Sequence, residues 1–338
     1  MNLVLAELLR LGGRRFVQLM LVLLVVAFGV TIATTMSGSH RPSGDELQRA
    51  EQQVLASWQR DRSAYEGCVD AKIRGNNGEA PVDGSESGAY PKDCESIRPL
   101  RRSVADFLPG IFVFDKEVRP LVYFLIGFLV LFGFLVAASY VGADLTSGGM
   151  TNLLLWRPRR LLVLGTKLGT LLGGLLVLSV LATVVYLAAF WAVAESNGLP
   201  GRVGADFWRW LSLSVGRGLV LVVLAAVTGF AIATLGRHTA AALGVVAAYA
   251  VVWEAGARIV MEIVGVHRLD QFMLSTHVSA WMQGELRLWD TTECLTAFSN
   301  SCDPTYTLTW RPALVVLLGV AGALAAAAFA TFQRRDLA

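Results

Sequence analysis

The sequence predicts an all-α polytopic membrane protein of about six transmembrane helices, and three observations predict it. The 338-residue chain is 54% hydrophobic and 16% charged, whereas a soluble domain carries ~25% charged residues. Mean hydropathy is +0.55. The apolar residues come in blocks near or above the ~18–20 residues that cross a bilayer. No period-two alternation competes with them, and backbone groups in lipid must be satisfied within a segment, so the blocks are predicted helices. A net charge of +3 is too small to point to nucleic acid.

The blocks follow in order. Residues 16–36 carry no charge and form the first span; residues 121–140 form the second, with Pro120 just before it, where a missing N–H costs nothing. The third block, 161–194, is longer than a bilayer requires and holds Lys167 near its start, so its first turns are expected to project from the membrane. Spans 210–235 and 239–264 are separated by the polar corner Gly236-Arg237-His238, and the alanine-rich span 313–332 follows Pro312. The predicted organisation is therefore 1–36 (a basic N-terminal segment and first span), 37–118 (an outer domain), 119–264 (spans two to five), 265–311 (a second outer segment) and 312–338 (the last span and tail).

Basic residues choose the orientation. Arg10, Arg14, Arg15, Arg157, Arg159, Arg160, Lys167, Arg237, Arg334 and Arg335 all fall on one face, which the positive-inside rule makes cytoplasmic. The expected topology is N-in, C-in, in a bacterial plasma membrane. Cys68 and Cys94 fall between spans one and two, and Cys294 and Cys302 between five and six, all on the opposite face. Disulfides persist in oxidising compartments, and because each pair shares a loop, Cys68–Cys94 and Cys294–Cys302 are the expected bridges among three connectivities. Arg14-Arg15 before an apolar run is also the pattern of an export signal. The run is of span length, longer than a signal's ~7–15 apolar residues, and no small-x-small cleavage site clearly follows.

In the first outer segment, 43–66 is polar and helix-prone, with Leu47, Ala50, Val54 and Trp58 at helical spacing. A Gly/Asn/Ser-rich stretch, 74–90, reads as loop, and 97–108 as helical again. A domain this small benefits from a disulfide staple. Trp281, Trp289 and Trp310 in the second outer segment suit the membrane interface.

The inner loop 142–160 carries the densest pattern. Asp144 or Thr146 can cap a short helix presenting Met150, Leu153, Leu154 and Trp156 to the membrane or a partner, with Arg157, Arg159 and Arg160 at the headgroups. Physical reasoning leaves a plain interfacial connector as an equal alternative. The run Gly-Ala-Asp-x-x-x-Gly-Gly-Met-Thr-Asn-Leu-Leu-Leu-Trp-x-Pro-Arg-Arg, followed by Lys167, closely resembles the corresponding loop of the ABC type-2 permease family. The resemblance implies a coupling helix that docks on a separate ATPase subunit. Asp144, Gly149, Leu154, Pro158, Arg159 and Lys167 occupy the matching positions, with Asp144 where glutamate is commoner. It also implies an N-terminal elbow helix, a second permease subunit (identical or homologous), export as the direction of transport, and an unidentified substrate. The large first outer segment departs from the smallest family members. No G-x-x-x-x-G-K-[ST] occurs, so ATP and Mg would be bound by the partner ATPase and no cofactor is expected in this chain.

Charges inside spans are costly and tend to be functional. Arg217 lies in span four, and Glu254, Arg258 and Glu262 share one face of span five at i, i+4 spacing, so a pair between Arg217 and Glu254 or Glu262 is expected. It would serve either as an outer gate or as a structural ion network. Gly165, Gly169 and Gly173 form small-xxx-small steps that allow close helix approach, expected to pack within one subunit, with a dimer seam as the alternative. His40, His238, His267 and His277 form no i, i+4 pair in a span, so metal ligation is not indicated and surface positions are expected. A membrane thiol oxidoreductase using the outer cysteines is the alternative function; neither pair has the C-x-x-C spacing that tunes such thiols.

Overall fold

The computed structural model describes residues 12–76, 94–100, 102–149, 159–289 and 305–334. It is predominantly helical, with six helices long and apolar enough to cross a membrane: α1 (Arg15–Gly38), α3 (Phe114–Thr146), α4 (Arg160–Asn197), α5 (Ala205–Gly236), α6 (Thr239–Val264) and α8 (Trp310–Arg334). Among the described residues two further helices are α2 (Gly44–Asn76) and α7 (Leu274–Gln283). The elbow helix expected before α1 falls on residues outside those described, as do Cys294 and Cys302.

Several boundaries differ from the sequence reading. α3 begins at Phe114, so Pro120 lies inside the helix rather than before it. Asp115 and Glu117 sit in that first turn, where carboxylates oppose the positive end of the helix dipole. At 38 residues α4 is about 57 Å long, nearly twice the ~30 Å hydrocarbon core. α6 is not uniform: its middle, Tyr249–Ala257, is a π-helix. α7 went unnoticed in the sequence because it is only ten residues long and lies in a segment read for its tryptophans.

The chain divides into two compact units. The smaller comprises Val30–Val118 and Ala188–Val203. Within it, α2 opens on a reciprocal cap: Glu46 N–H donates to Ser43 Oγ (3.3 Å), and Ser43 N–H donates to Glu46 Oε2 (2.8 Å). The Glu46 carboxyl is thereby held down to about 2, first by the Ser43 backbone N–H, then by the Ser43 hydroxyl and His40. α2 continues ten residues beyond the predicted end at 66, covering the start of the stretch read as loop. Its buried stripe runs through Leu47, Ala50 and Val54 to Ser57, leaving Trp58 exposed. Cys68 and Cys94 are joined, as expected, and both are buried.

The stretch 97–108 is not one helix. It forms parts of two single 3₁₀ turns, Cys94–Ile97 and Val104–Phe107, because Pro99 and Pro109 bias Arg98 and Leu108 away from the helical region. Leu108 and Ile111 pack with Ala50 against Leu47, Val104, Phe107 and Leu199. Two short strands, β1 (Phe112–Val113) and β2 (Gly198–Leu199), pair in parallel. A Cβ on Gly198 would stand 2.3 Å from the Phe112 carbonyl oxygen, so only glycine allows that approach. Lys116 pairs with Asp106 and holds its carboxyl below the usual carboxylate range.

The larger unit holds the rest of the described chain. Its core joins Val17 of α1, Phe132, Val136 and Tyr140 of α3, Leu164 and Leu171 of α4, Phe230 of α5 and Phe332 of α8. Glycines bring α3 and α5 together, though not the glycines singled out from sequence. A Cβ on Gly218 would meet Ile126 at 2.6 Å, and one on Gly229 would meet the Phe134 carbonyl oxygen at 2.5 Å. Gly169 and Gly173 have nothing within 4 Å, and Gly165 only the edge of Phe329 at 4.0 Å, so that stripe does not make the close packing expected of it. The strands β3 (Glu285–Trp289) and β4 (Thr305–Thr309) pair antiparallel between α7 and α8. Trp281 is buried rather than interfacial, donating its indole N–H to the Arg217 carbonyl (3.0 Å).

Candidate functional site

The two ends of the inner loop are tied together by a buried ion cluster. Asp144 sits in the last turn of α3 and Lys167 in the third turn of α4. Lys167 Nζ lies 2.8 Å from Asp144 Oδ2, with side chains 1% and 6% exposed. Lys167 is thus enclosed within the unit. Asp144 is no N-cap: it is helical, and its other oxygen, Oδ1, pairs with the guanidinium of Arg14, just before α1. Thr146 likewise bonds back to the Gly142 carbonyl (3.1 Å) rather than capping a new helix.

One carboxylate shared by two cations leaves an excess positive charge, and α3 supplies what balances it. Arg14 Nη1 also donates to the carbonyls of Tyr140 (2.8 Å) and Ser139 (3.2 Å) of α3, whose oxygens carry partial negative charge. The fully buried Tyr140 ring carries Arg14 and Lys167 each 4.9 Å from its centroid, a doubled cation–π contact. Burial without such partners would cost several kcal/mol per ion, on the order of 3–5 when one member of a pair is missing. Sequence reasoning used Arg14 for orientation and in an export-signal pattern and overlooked Tyr140; the signal available was that Tyr140 and Asp144 share a helical face at i, i+4.

The same end of the unit is closely built. A Cβ on Gly142 would meet the Thr239 backbone nitrogen at 2.7 Å, so the end of α3 touches the start of α6. His238 caps α6, its Nδ1 accepting from the Ala240 N–H (3.0 Å). Of the loop residues singled out from sequence, Gly149 follows Gly148, whose φ is +71°, and Arg159 is exposed. Met150, Leu153, Leu154, Trp156 and Pro158 lie outside the described residues.

The second predicted cluster does not assemble. Arg217 donates to the Met282 carbonyl (3.2 Å) and lies 5.8 Å from the Trp281 ring centroid, pairing with neither Glu254 nor Glu262. Glu254 accepts from Ser275 Oγ (2.6 Å), the Ser275 N–H (3.0 Å) and the Tyr249 hydroxyl (2.9 Å). Arg258 faces Asp270 at 3.5 Å, and Glu262 is exposed. The segment Tyr249–Ala257 that carries Glu254 is π-helical, with i→i+5 bonding and a wider turn. α7 instead supplies Ser275 to Glu254 and the Met282 carbonyl to Arg217.

An apolar cavity of about 490 Å³ lies beside these groups, lined from α3, α5, α6, α7 and α8, among them Tyr123, Phe134, Leu221, Thr228, Met282 and Val320. His277 is buried in α7, not at the surface, with Nε2 2.9 Å from the Gln271 carbonyl oxygen. Among the described residues no group of three or more His, Cys, Asp or Glu side chains could hold a metal ion. No family model, curated protein or solved structure matches the chain.

Proposed function

We propose that the chain is the membrane-spanning permease subunit of an ATP-driven ABC transporter, an exporter whose ATP and Mg are bound by a separate ATPase subunit. The observation that carries this reading is the buried Lys167–Asp144–Arg14 cluster. It clamps the stems of the loop 150–158 to each other and to the segment preceding α1. A clamp of this kind lets force applied to the loop move α3 and α4 as one body, which is what docking of a motor on a coupling helix requires. Without it, the loop would flex locally and transmit nothing. The loop's sequence offers Met150, Leu153, Leu154 and Trp156 as the apolar residues for docking, followed by Pro158 and Arg159.

The remaining parts follow from the same reading. The chain lies N-in and C-in in a bacterial plasma membrane, so the clamp is cytoplasmic, while the disulfide-stapled unit around α2 is extracytoplasmic. The exposed apolar side chains of α6, such as Val251, Ile259 and Ile263, suit lipid or a second permease subunit. The burial of Cys68 and Cys94 favours a structural disulfide over thiol exchange.

The test is co-purification of the detergent-solubilised, tagged protein with ATPase subunits encoded beside it, read as ATPase activity. The expected result is a stable complex that Leu154→Asp releases while the permease remains folded. An intact permease that binds no ATPase, together with thiol turnover that serine replacement of the cysteines abolishes, would establish the oxidoreductase instead.

A further inference from the structure

We propose that the apolar cavity seats the acyl chain of a phosphate-headed membrane lipid, with Arg217 at its mouth receiving the phosphate. Regarding that lipid as cargo rests on the permease reading; its binding does not.

The cavity's shape and chemistry select the chain. Its volume of about 490 Å³ falls within the ~300–1,000 Å³ of small-molecule sites. On α3 the lining runs from Tyr123 to Phe134, a rise of about 16 Å along the helix, so the slot is long and follows the direction of a lipid chain. The lining is aliphatic and aromatic apart from the Tyr123 and Thr228 hydroxyls. Thr228 spends its proton on the Leu224 carbonyl (2.8 Å). A polar occupant would therefore lose its hydrogen bonds to water on entry and find few replacements, whereas a hydrocarbon chain loses none.

Arg217 determines the head. It stands one turn before Leu221 on α5, and Leu221, Leu224, Ala225 and Thr228 all line the cavity, so the arginine continues the same helical stripe. Its Nη1 donates to the backbone of Met282, itself a lining residue. Gly284 packs against the guanidinium, since a Cβ there would stand 3.0 Å from Nη1. Among the described residues no carboxylate pairs with Arg217. A guanidinium offers five N–H donors in a planar fork suited to phosphate. A cation inside a span is costly without an anion and marks a functional site by default. A phosphate held here, with its chain running down the slot, satisfies both halves of the arrangement.

The test uses the purified permease alone in nanodiscs, doped with phosphatidic acid carrying a photoreactive acyl chain, and in parallel with diacylglycerol bearing the same chain. Phosphatidic acid is expected to label peptides spanning 123–134 and 317–321. Arg217→Gln should lower that labelling about tenfold or more, leave diacylglycerol labelling unchanged, and be rescued in part by Arg217→Lys. Ala225→Trp, which fills the slot without touching the charge, should suppress both probes and keeps the test decisive if Arg217→Gln misfolds. Equal labelling by both probes, or phosphatidic acid labelling that neither variant alters, overturns the proposal. A permease that labels but binds no ATPase keeps the lipid site and loses the transporter; one that binds ATPase but does not label loses only the lipid site.

Discussion

Replacing Asp144 with asparagine removes the carboxylate on which Arg14 and Lys167 converge, at nearly unchanged volume. The two cations are not equally exposed to the loss. Arg14 is 17% exposed and keeps the carbonyls of Ser139 and Tyr140, whereas Lys167 is 1% exposed and keeps the Tyr140 ring face. Most of the penalty therefore falls on Lys167, and the loss should reach the ~3–5 kcal/mol typical of a buried pair robbed of one member. Lys167→Met deletes the other partner but leaves Asp144 paired with Arg14, so it costs one charge-assisted hydrogen bond, about 1.5–3 kcal/mol. In the double variant the stranded ammonium is gone, and the two losses should fall short of additivity by about 0.5–3 kcal/mol. The assay is unfolding of the purified protein in mixed micelles titrated with a denaturing detergent, with midpoint and slope compared across the four proteins. A Lys167→Met loss equal to or larger than that of Asp144→Asn, or a strictly additive double variant, would refute the argument that this carboxylate anchors both cations.

Two other expectations concern packing and pH. Gly229→Ala places a methyl group 2.5 Å from a backbone oxygen of α3, so it should destabilise the unit by about 1–3 kcal/mol, while Gly173→Ala, with nothing within 4 Å, should leave the same unfolding midpoint unmoved or raise it. The Glu46 carboxyl titrates at about 2 when folded, against its ordinary 4.5, so between those values the unfolded state binds more protons and stability rises with pH. Its contribution to the start of α2 is thus complete above pH 4.5 and lost as pH falls towards 2; hydrogen exchange in the first turn of α2, corrected for intrinsic rates, should show that dependence and lose it in Glu46→Gln.

The positions of the six long helices were legible because crossing a bilayer needs ~20 apolar residues in succession, a signal carried by a single contiguous stretch. The Cys68–Cys94 bridge was legible for a similar local reason, both cysteines lying in one connecting segment 26 residues apart. Helix ends were less so. Phe114 to Arg119 mixes charged and apolar residues and reads as connection, yet continues α3, and the proline within it did not stop the helix. Asp144 and Lys167 stood out through a family-like pattern, which said nothing of their touching each other.

Composition and apolar block length by themselves determined a helical chain with six membrane-length segments, and the place of each along the chain though not its ends. Which charges meet was decided only by tertiary structure. Arg14 reaches Asp144 across 130 residues, and Arg217 turns from the acids of α6 to the backbone of α7. Such pairings depend on how far each helix is rotated and displaced against its neighbours. That rotation is set by glycine contacts such as Gly218 on Ile126 and by the π-helical turn of α6, and neither leaves a periodic trace along the chain. Burial then makes the choice binding, because in a low-dielectric interior a cation settles on whichever oxygen the packing brings within reach.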